Sequence, residues 1–241
     1  MKILTNKKYE KFVQKEAELS ELFSLLLNNL CRDGTGRSQL GQDIVALLVN
    51  NCKSNGYFVE FGATNGYDLS NTYLLEKQFN WIGILVEPLK IWHSDLKQNR
   101  NCVIDLRCVS AVSNQVVKFL AAAEPELSTI QGYEDADNHS RARKNSSIVE
   151  VTTVSLRDLL LEHNAPKVID YLSIDTEGSE LSILQDFDFS EFEFKFITIE
   201  HNHSSNRDLI YDLMVQNGYK RILSVLSRFD DWYVNSKYLE L

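Results

Sequence analysis

Tyr57-Phe58-Val59-Glu60-Phe61-Gly62-Ala63-Thr64-Asn65-Gly66-Tyr67-Asp68 is an apolar run that ends in an acid and passes at once into a turn with two glycines. The run reads as a strand, and Gly62 and Gly66 let the backbone bend sharply and approach a ligand where a Cβ would collide. Their spacing is GxxxG, not the GxGxxG of dinucleotide-binding turns, so a cofactor without a pyrophosphate fits better than NAD or a nucleotide sugar. From Tyr57 onward, short apolar runs alternate with helical segments, the pattern of a parallel sheet with crossover helices. Strands are predicted at 57–61, 82–86, 103–107, 168–174, 194–199, 219–225 and 232–235. Helices are predicted near 71–78, 89–98, 155–163, 178–185 and 206–217. No helix separates the last two strands, which predicts an antiparallel hairpin at one edge. The predicted fold class is therefore α/β: a doubly wound, mostly parallel seven-stranded Rossmann-like sheet ending in that hairpin, behind an N-terminal helical extension.

That extension covers residues 1–38. Phe12, Leu19, Leu22, Phe23, Leu26 and Leu30 recur at helical steps with Lys and Glu between them, so their stripe packs on the body or on a second copy, and a homodimer is worth testing. A second helix is predicted near 39–51, opening a domain of residues 39–241. Residues 124–147 interrupt this domain. Glu124, Glu126, Glu134, Asp135 and Asp137 precede Arg141, Arg143 and Lys144 there with almost no apolar periodicity, which describes an insertion loop, either a substrate-covering flap or a solvated insert.

Composition narrows the function. The 241 residues carry 34 acidic against 25 basic side chains, a net charge of −9, which argues against a protein that neutralises nucleic-acid phosphates. No apolar run reaches the roughly 18–20 residues of a membrane span. Residues 1–8 lack the apolar stretch of a secretion signal, so the cytoplasm is the expected location. Cys31, Cys52, Cys102 and Cys108 form no CxxC pair and read as free thiols.

Three further clusters are predicted to reach the carboxyl edge of the sheet beside the glycine turn, where open α/β sheets bind ligands. Ile82-Gly83-Ile84-Leu85-Val86-Glu87 ends in an acid twenty-one positions after Gly66, placed to accept hydrogen bonds from ribose hydroxyls. Asp170 to Glu180 brings Asp175 and Glu177, and Ile199-Glu200-His201-Asn202-His203 brings a histidine pair.

Phe58 to Gly66, Leu69 to Lys77, Trp81 to Pro88 and Asp170 to Leu181 together resemble the FkbM family of S-adenosylmethionine-dependent methyltransferases, over about residues 38–233. Glu60 and Thr64 stand where many members carry Asp and Asn. The resemblance implies a class I methyltransferase fold, S-adenosylmethionine as methyl donor, and O-methylation of a sugar or other small-molecule hydroxyl. In that frame Gly62, Asn65 and Gly66 line the methionine and ribose end of the cofactor. Glu60 favours its cationic end and Glu87 grips the ribose, while Ser70 and Asn71 add hydrogen bonds and Asp105 meets the adenine amino group. His201 is the expected base for the acceptor hydroxyl, with Asp175 and Glu177 orienting it. A second arrangement places a divalent cation on Asp175, Glu200 and His201. The competing expectation is a non-catalytic interaction or scaffold module on the same fold.

Overall fold

The computed structural model describes residues 36–239; the helix expected over the first thirty residues and Cys31 lie outside them. Helix α1 (Gln42–Val49) precedes β1 (Tyr57–Phe61), α2 (Tyr73–Phe79), β2 (Ile82–Val86), α3 (His93–Asn99) and β3 (Val103–Asp105). Four strands follow: β4 (Cys108–Ser110), β5 (Val116–Ala121), β6 (Thr129–Ile130) and β7 (Ser147–Ser155). The chain then runs through α4 (Leu156–Glu162), β8 (Val168–Ile174), α5 (Glu180–Leu184), β9 (Glu193–Glu200), α6 (Arg207–Gln216), β10 (Tyr219–Ile222) and β11 (Asp230–Asn235).

The main sheet has seven strands in the order β3-β2-β1-β8-β9-β11-β10. Strands β3, β2, β1, β8 and β9 pair in parallel, and β11 runs antiparallel to both β9 and β10. The expected hairpin is present, with β11 inserted between β9 and the edge strand β10. Parallel strands covered on both faces must be apolar on both, and β1 and β2 are: Val59, Phe61, Ile84 and Val86 join one buried cluster, Phe58 and Leu85 the other. The first cluster takes in Leu156, Leu159 and Leu160 of α4 and Ile210 and Met214 of α6; the second takes in α1 and α2 through Val45, Ala46, Leu74 and Leu75. Strand order reverses between β1 and β8, which opens a crevice above their carboxyl ends.

The structure corrects the sequence reading between β3 and α4. The expected strand over 103–107 stops at Asp105, and a second sheet, β4-β7-β5-β6, occupies residues 108–155. Only part of 124–147 is irregular, because β6 lies within it and β7 starts at Ser147. The second sheet escaped notice because one face is wet: Val116 is 67% and Ile148 57% exposed, so its strands are not the solid apolar runs of the main sheet.

Gly83 shows how closely β1 and β2 approach. A Cβ there would collide with the Phe58 carbonyl and ring, neither of which can yield inside a paired strand. Gly83→Ala is expected to lower stability by about 1–3 kcal/mol, the scale of overpacking, read from the midpoint of a urea unfolding curve.

Candidate active site

The crevice is a cavity of about 280 Å³, bounded by the carboxyl ends of β1, β2, β8 and β9 and by residues of the second sheet and the following insert. Its walls differ. Leu89, Cys108, Val109, Phe119 and Ile130 form an apolar side, while Asp175, Glu177, Glu200 and Asp230 form an acidic one.

The tip of β1 is fixed by an internal network. Buried Glu60 accepts hydrogen bonds from the Asn71 backbone N–H (2.7 Å), the Ser70 hydroxyl (3.1 Å) and the Thr72 hydroxyl. Arg100 lies 3.8 Å away. Burial raises the Glu60 pKa against the pull of Arg100 and these donors. Gly62 adopts φ +72° at the cavity wall, where a Cβ would strike the Asp175 carbonyl. Its role is the close passage of two chain segments. Asn71 donates from Nδ2 to Ser173 Oγ (2.9 Å), and its buried Oδ1 has no partner.

Glu87, at the tip of β2, is 4% exposed and held by backbone alone. Thr64 N–H donates to Oε2 (2.9 Å) and Leu89 N–H to Oε1 (2.8 Å). Burial, reinforced by the Asp175 charge and opposed by these two bonds, pushes its pKa to about 7. Each oxygen keeps a lone pair for a further donor.

The acidic side follows from strand register. Ile174 pairs with Ile199 and Glu200 pairs with Asp230, so Asp175, Glu200 and Asp230 form a row across β8, β9 and β11. Glu177 joins from the turn after β8, its Oε2 accepting from Arg143 (2.7 Å) and Asn202 (3.3 Å). Burial raises the pKa of all four acids, and neighbouring carboxylates raise those of Glu177, Glu200 and Asp230 further. Asp230 reaches about 7. Ligand oxygens of Asp175, Glu177 and Glu200 lie within 4.8 Å of one another, a spacing and donor type that suit a hard divalent cation.

A family model for the methyltransferase FkbM domain matches residues 60–229, most of the chain and most of this crevice. The chain belongs to the FkbM methyltransferase family. Among solved structures, it is similar to an FkbM methyltransferase from Methylobacillus flagellatus KT, with 16% identity over 75% of this chain and 43% of that one and a TM-score of 0.48. The chain thus spans less than half the length of that protein. A human methyltransferase 10 domain containing protein is 13% identical over 96% of this chain and 97% of that one, with a TM-score of 0.43. A precorrin-6y C5,15-methyltransferase from Geobacter metallireducens GS-15 is 10% identical over 80% and 85%, with a TM-score of 0.39. No curated protein matches the sequence.

Within this FkbM domain the residues singled out from sequence divide into two groups. Glu60, Gly62, Ser70, Asn71, Glu87, Asp175 and Glu177 all line the cavity. Asn65, Gly66, Asp105 and His201 do not. Asn65 Oδ1 accepts from the N–H groups of Tyr67 and Asp68, both at 2.9 Å, inside its own turn. A Cβ on Gly66 would fall 2.6 Å from Leu96 and 2.7 Å from Arg100, so its requirement is packing under α3. Asp105 is gripped by Arg107 (2.6 and 3.0 Å) and His163 (2.8 Å); these bonds outweigh burial and hold its pKa at about 2. His201 is turned away from the crevice: Nδ1 accepts from His203 N–H (3.0 Å), and Nε2, 3.9 Å from Asp231, has no hydrogen-bond partner. Burial, then the Arg207 charge, press its pKa to about 4.

Sequence reasoning missed Thr64, Asp230 and the apolar wall. Thr64 lay inside the quoted turn, and Asp230 was legible as an acid opening the last strand. The apolar wall depended on a sheet that the sequence did not reveal.

Asp230 gives a test of the acidic row. A carboxyl whose folded pKa lies above its unfolded value stabilises the protein fully below the unfolded pKa, and that contribution disappears as pH rises through the folded one. Between pH 5 and pH 8, Asp230→Asn is therefore expected to gain about 1–3 kcal/mol on the native chain, measured by urea unfolding at each pH.

Proposed function

We propose that this FkbM domain is an S-adenosylmethionine-dependent methyltransferase that methylates a hydroxyl of a small molecule, sugars included. The observation that carries the reading is Glu87. It is a buried carboxylate at the β2 tip, steadied by two backbone N–H groups, with lone pairs left for a pair of ribose hydroxyls. The apolar wall of Leu89, Cys108, Val109, Phe119 and Ile130 offers a flat heterocycle a dry surface beside it. The acidic wall favours a cationic centre. The residues present therefore fit such a cofactor.

The cofactor brings a methyl group already activated on sulfur, so the protein is left mainly with positioning. Asn71 and Ser173 stand on the wall with polar groups to orient an acceptor. Asp230, whose pKa burial lifts to about 7, takes the proton that a hydroxyl gives up, since a carboxyl poised near neutrality is the one able to accept it. His201 is not needed for this, because its ring does not face the cavity. A scaffold module has no use for the glycine turn, the β2-tip acid and the acidic row around one cavity.

Calorimetric titration with S-adenosylhomocysteine tests the cofactor site. The protein is expected to bind it, Glu87→Ala to weaken binding by about 1–3 kcal/mol, and His201→Ala to leave it within twofold. Absence of binding to a folded sample turns the reading to a scaffold module.

The 4.8 Å grouping of Asp175, Glu177 and Glu200 favours a second reading, in which a divalent cation lowers the acceptor's pKa. Titration with Mg²⁺ or Mn²⁺ in the presence of S-adenosylhomocysteine decides it. One bound equivalent that Glu200→Gln weakens at least tenfold supports the cation, and no binding leaves the acids as proton acceptors.

A further inference from the structure

The cavity wall holds eight acidic side chains and no Lys or Arg among the described residues. Arg143 stands behind the wall, fully buried, with its donors spent on Asp137, Glu177 and the Leu127 and Glu134 carbonyls. One side chain of the wall is able to turn positive, the imidazole of His139.

His139 belongs to the insert between β6 and β7, on a turn whose backbone is fixed. Its N–H donates to Asp137 Oδ1 (2.7 Å) and its carbonyl accepts from Ala142 N–H (2.9 Å), while Arg143 holds Asp137 through both oxygens. The ring is free by comparison with other histidines. His93 Nε2 meets the Glu87 carbonyl, His163 Nε2 meets Asp105, and His201 Nδ1 accepts from His203 N–H. The His139 ring borders the cavity half-buried and has no hydrogen bond to the described residues. Its charge favours the ionised form of Asp175, so the ring lies within electrostatic reach of the β8 tip.

We propose that His139 binds the carboxylate of the cofactor's methionine portion, the anionic group that the cofactor brings into an acidic cavity. The proposal rests on the methyltransferase reading above. S-adenosylmethionine carries a sulfonium, an ammonium and a carboxylate. The acidic wall serves the first two, whereas every acid around the cavity repels the third. Taking a carboxylate out of water there without a donor is costly, and an imidazole N–H supplies a charge-assisted hydrogen bond. Amide donors set into the wall are engaged elsewhere: Asn71 Nδ2 at Ser173, Gln42 Nε2 at Asp230 and Asn202 Nδ2 at Glu200. The insert that carries His139 thereby becomes part of the cofactor site.

The test titrates the full chain calorimetrically with S-adenosylhomocysteine and with two ligands that lack the carboxylate, its decarboxylated form and adenosine. His139→Ala is expected to weaken S-adenosylhomocysteine at least fivefold and to leave the carboxylate-free ligands within twofold of their parent values, or tighter. A loss below fivefold for S-adenosylhomocysteine overturns the proposal. So does a matching loss for the carboxylate-free ligands, which marks a structural role. The urea unfolding midpoint of the variant checks that it is folded. A parent protein that does not bind S-adenosylhomocysteine overturns the methyltransferase reading and the proposal together; a parent that binds it, with no selective loss in His139→Ala, overturns the proposal alone.

Discussion

Arg100 is the constraint on which the ligand crevice depends. Its side chain is fully buried and commits four N–H donors: Nε to Glu76 (2.7 Å), Nη1 to the Gly66 carbonyl (3.2 Å) and the Ser70 hydroxyl (3.1 Å), and Nη2 to the Thr72 hydroxyl (2.9 Å). Those hydroxyls in turn donate to Glu60. One guanidinium therefore joins the tip of β1, the turn after it, α2 and the end of α3 into a single block. A buried charge of this kind is tolerated because each partner is satisfied, and removing one partner from such a set typically costs about 3–5 kcal/mol. The network also decides which acid remains open. Glu60 is occupied by Arg100 and the turn, whereas Glu87 meets only two backbone N–H groups.

The acidic wall obeys the opposite logic. Among the described residues Asp175, Glu200 and Asp230 have no ion pair like that of Arg100 with Glu60, and Asp175 shares a hydrogen bond with Glu200, although the sheet register aligns them as firmly as it aligns the apolar core beneath. A protein gains no stability from such a row. Burying carboxylates without counter-charges makes them hold protons, and this is the property asked of groups that accept a proton or receive a cation. The sheet places the row on rigid elements, so its geometry does not depend on a loop.

The main sheet was legible because parallel strands covered on both faces leave solid apolar runs, as in Ile82–Val86. The second sheet was not, since β5 pairs with β7 from Val116↔Thr152 to Ala121↔Ser147, partners far apart in sequence with one wet face. Site residues divided on the same principle. Glu87 and Asp175 followed from their positions at strand tips. Glu60 was read as a ligand acid because its partner, Arg100, lies forty residues downstream with no local sign of the pairing. For His201 the local pattern held the answer: Glu200 and Asn202 line the cavity, and the residue between them faces the other side, against Asp231. Asp105 likewise carried its partner nearby, in Arg107.

The insert between β6 and β7 is tied to this chemistry by the same kind of bond that fixes the β1 turn. Arg143 holds both oxygens of Asp137 at 2.8 and 2.9 Å and donates to the Leu127 carbonyl (2.7 Å) and to Glu177 (2.7 Å). Close packing reinforces the tie, because a Cβ on Gly178 would lie 2.7 Å from Ala136 in the insert. The Thr129 hydroxyl also donates to the Glu177 carbonyl (2.8 Å). The position of the insert and the charge of Glu177 are thus one variable. Arg143 supplies the counter-charge of Glu177, and the same charge acts on Asp175 in the row beside it. The insert that walls the cavity therefore also sets how much negative charge the cavity presents to what enters it.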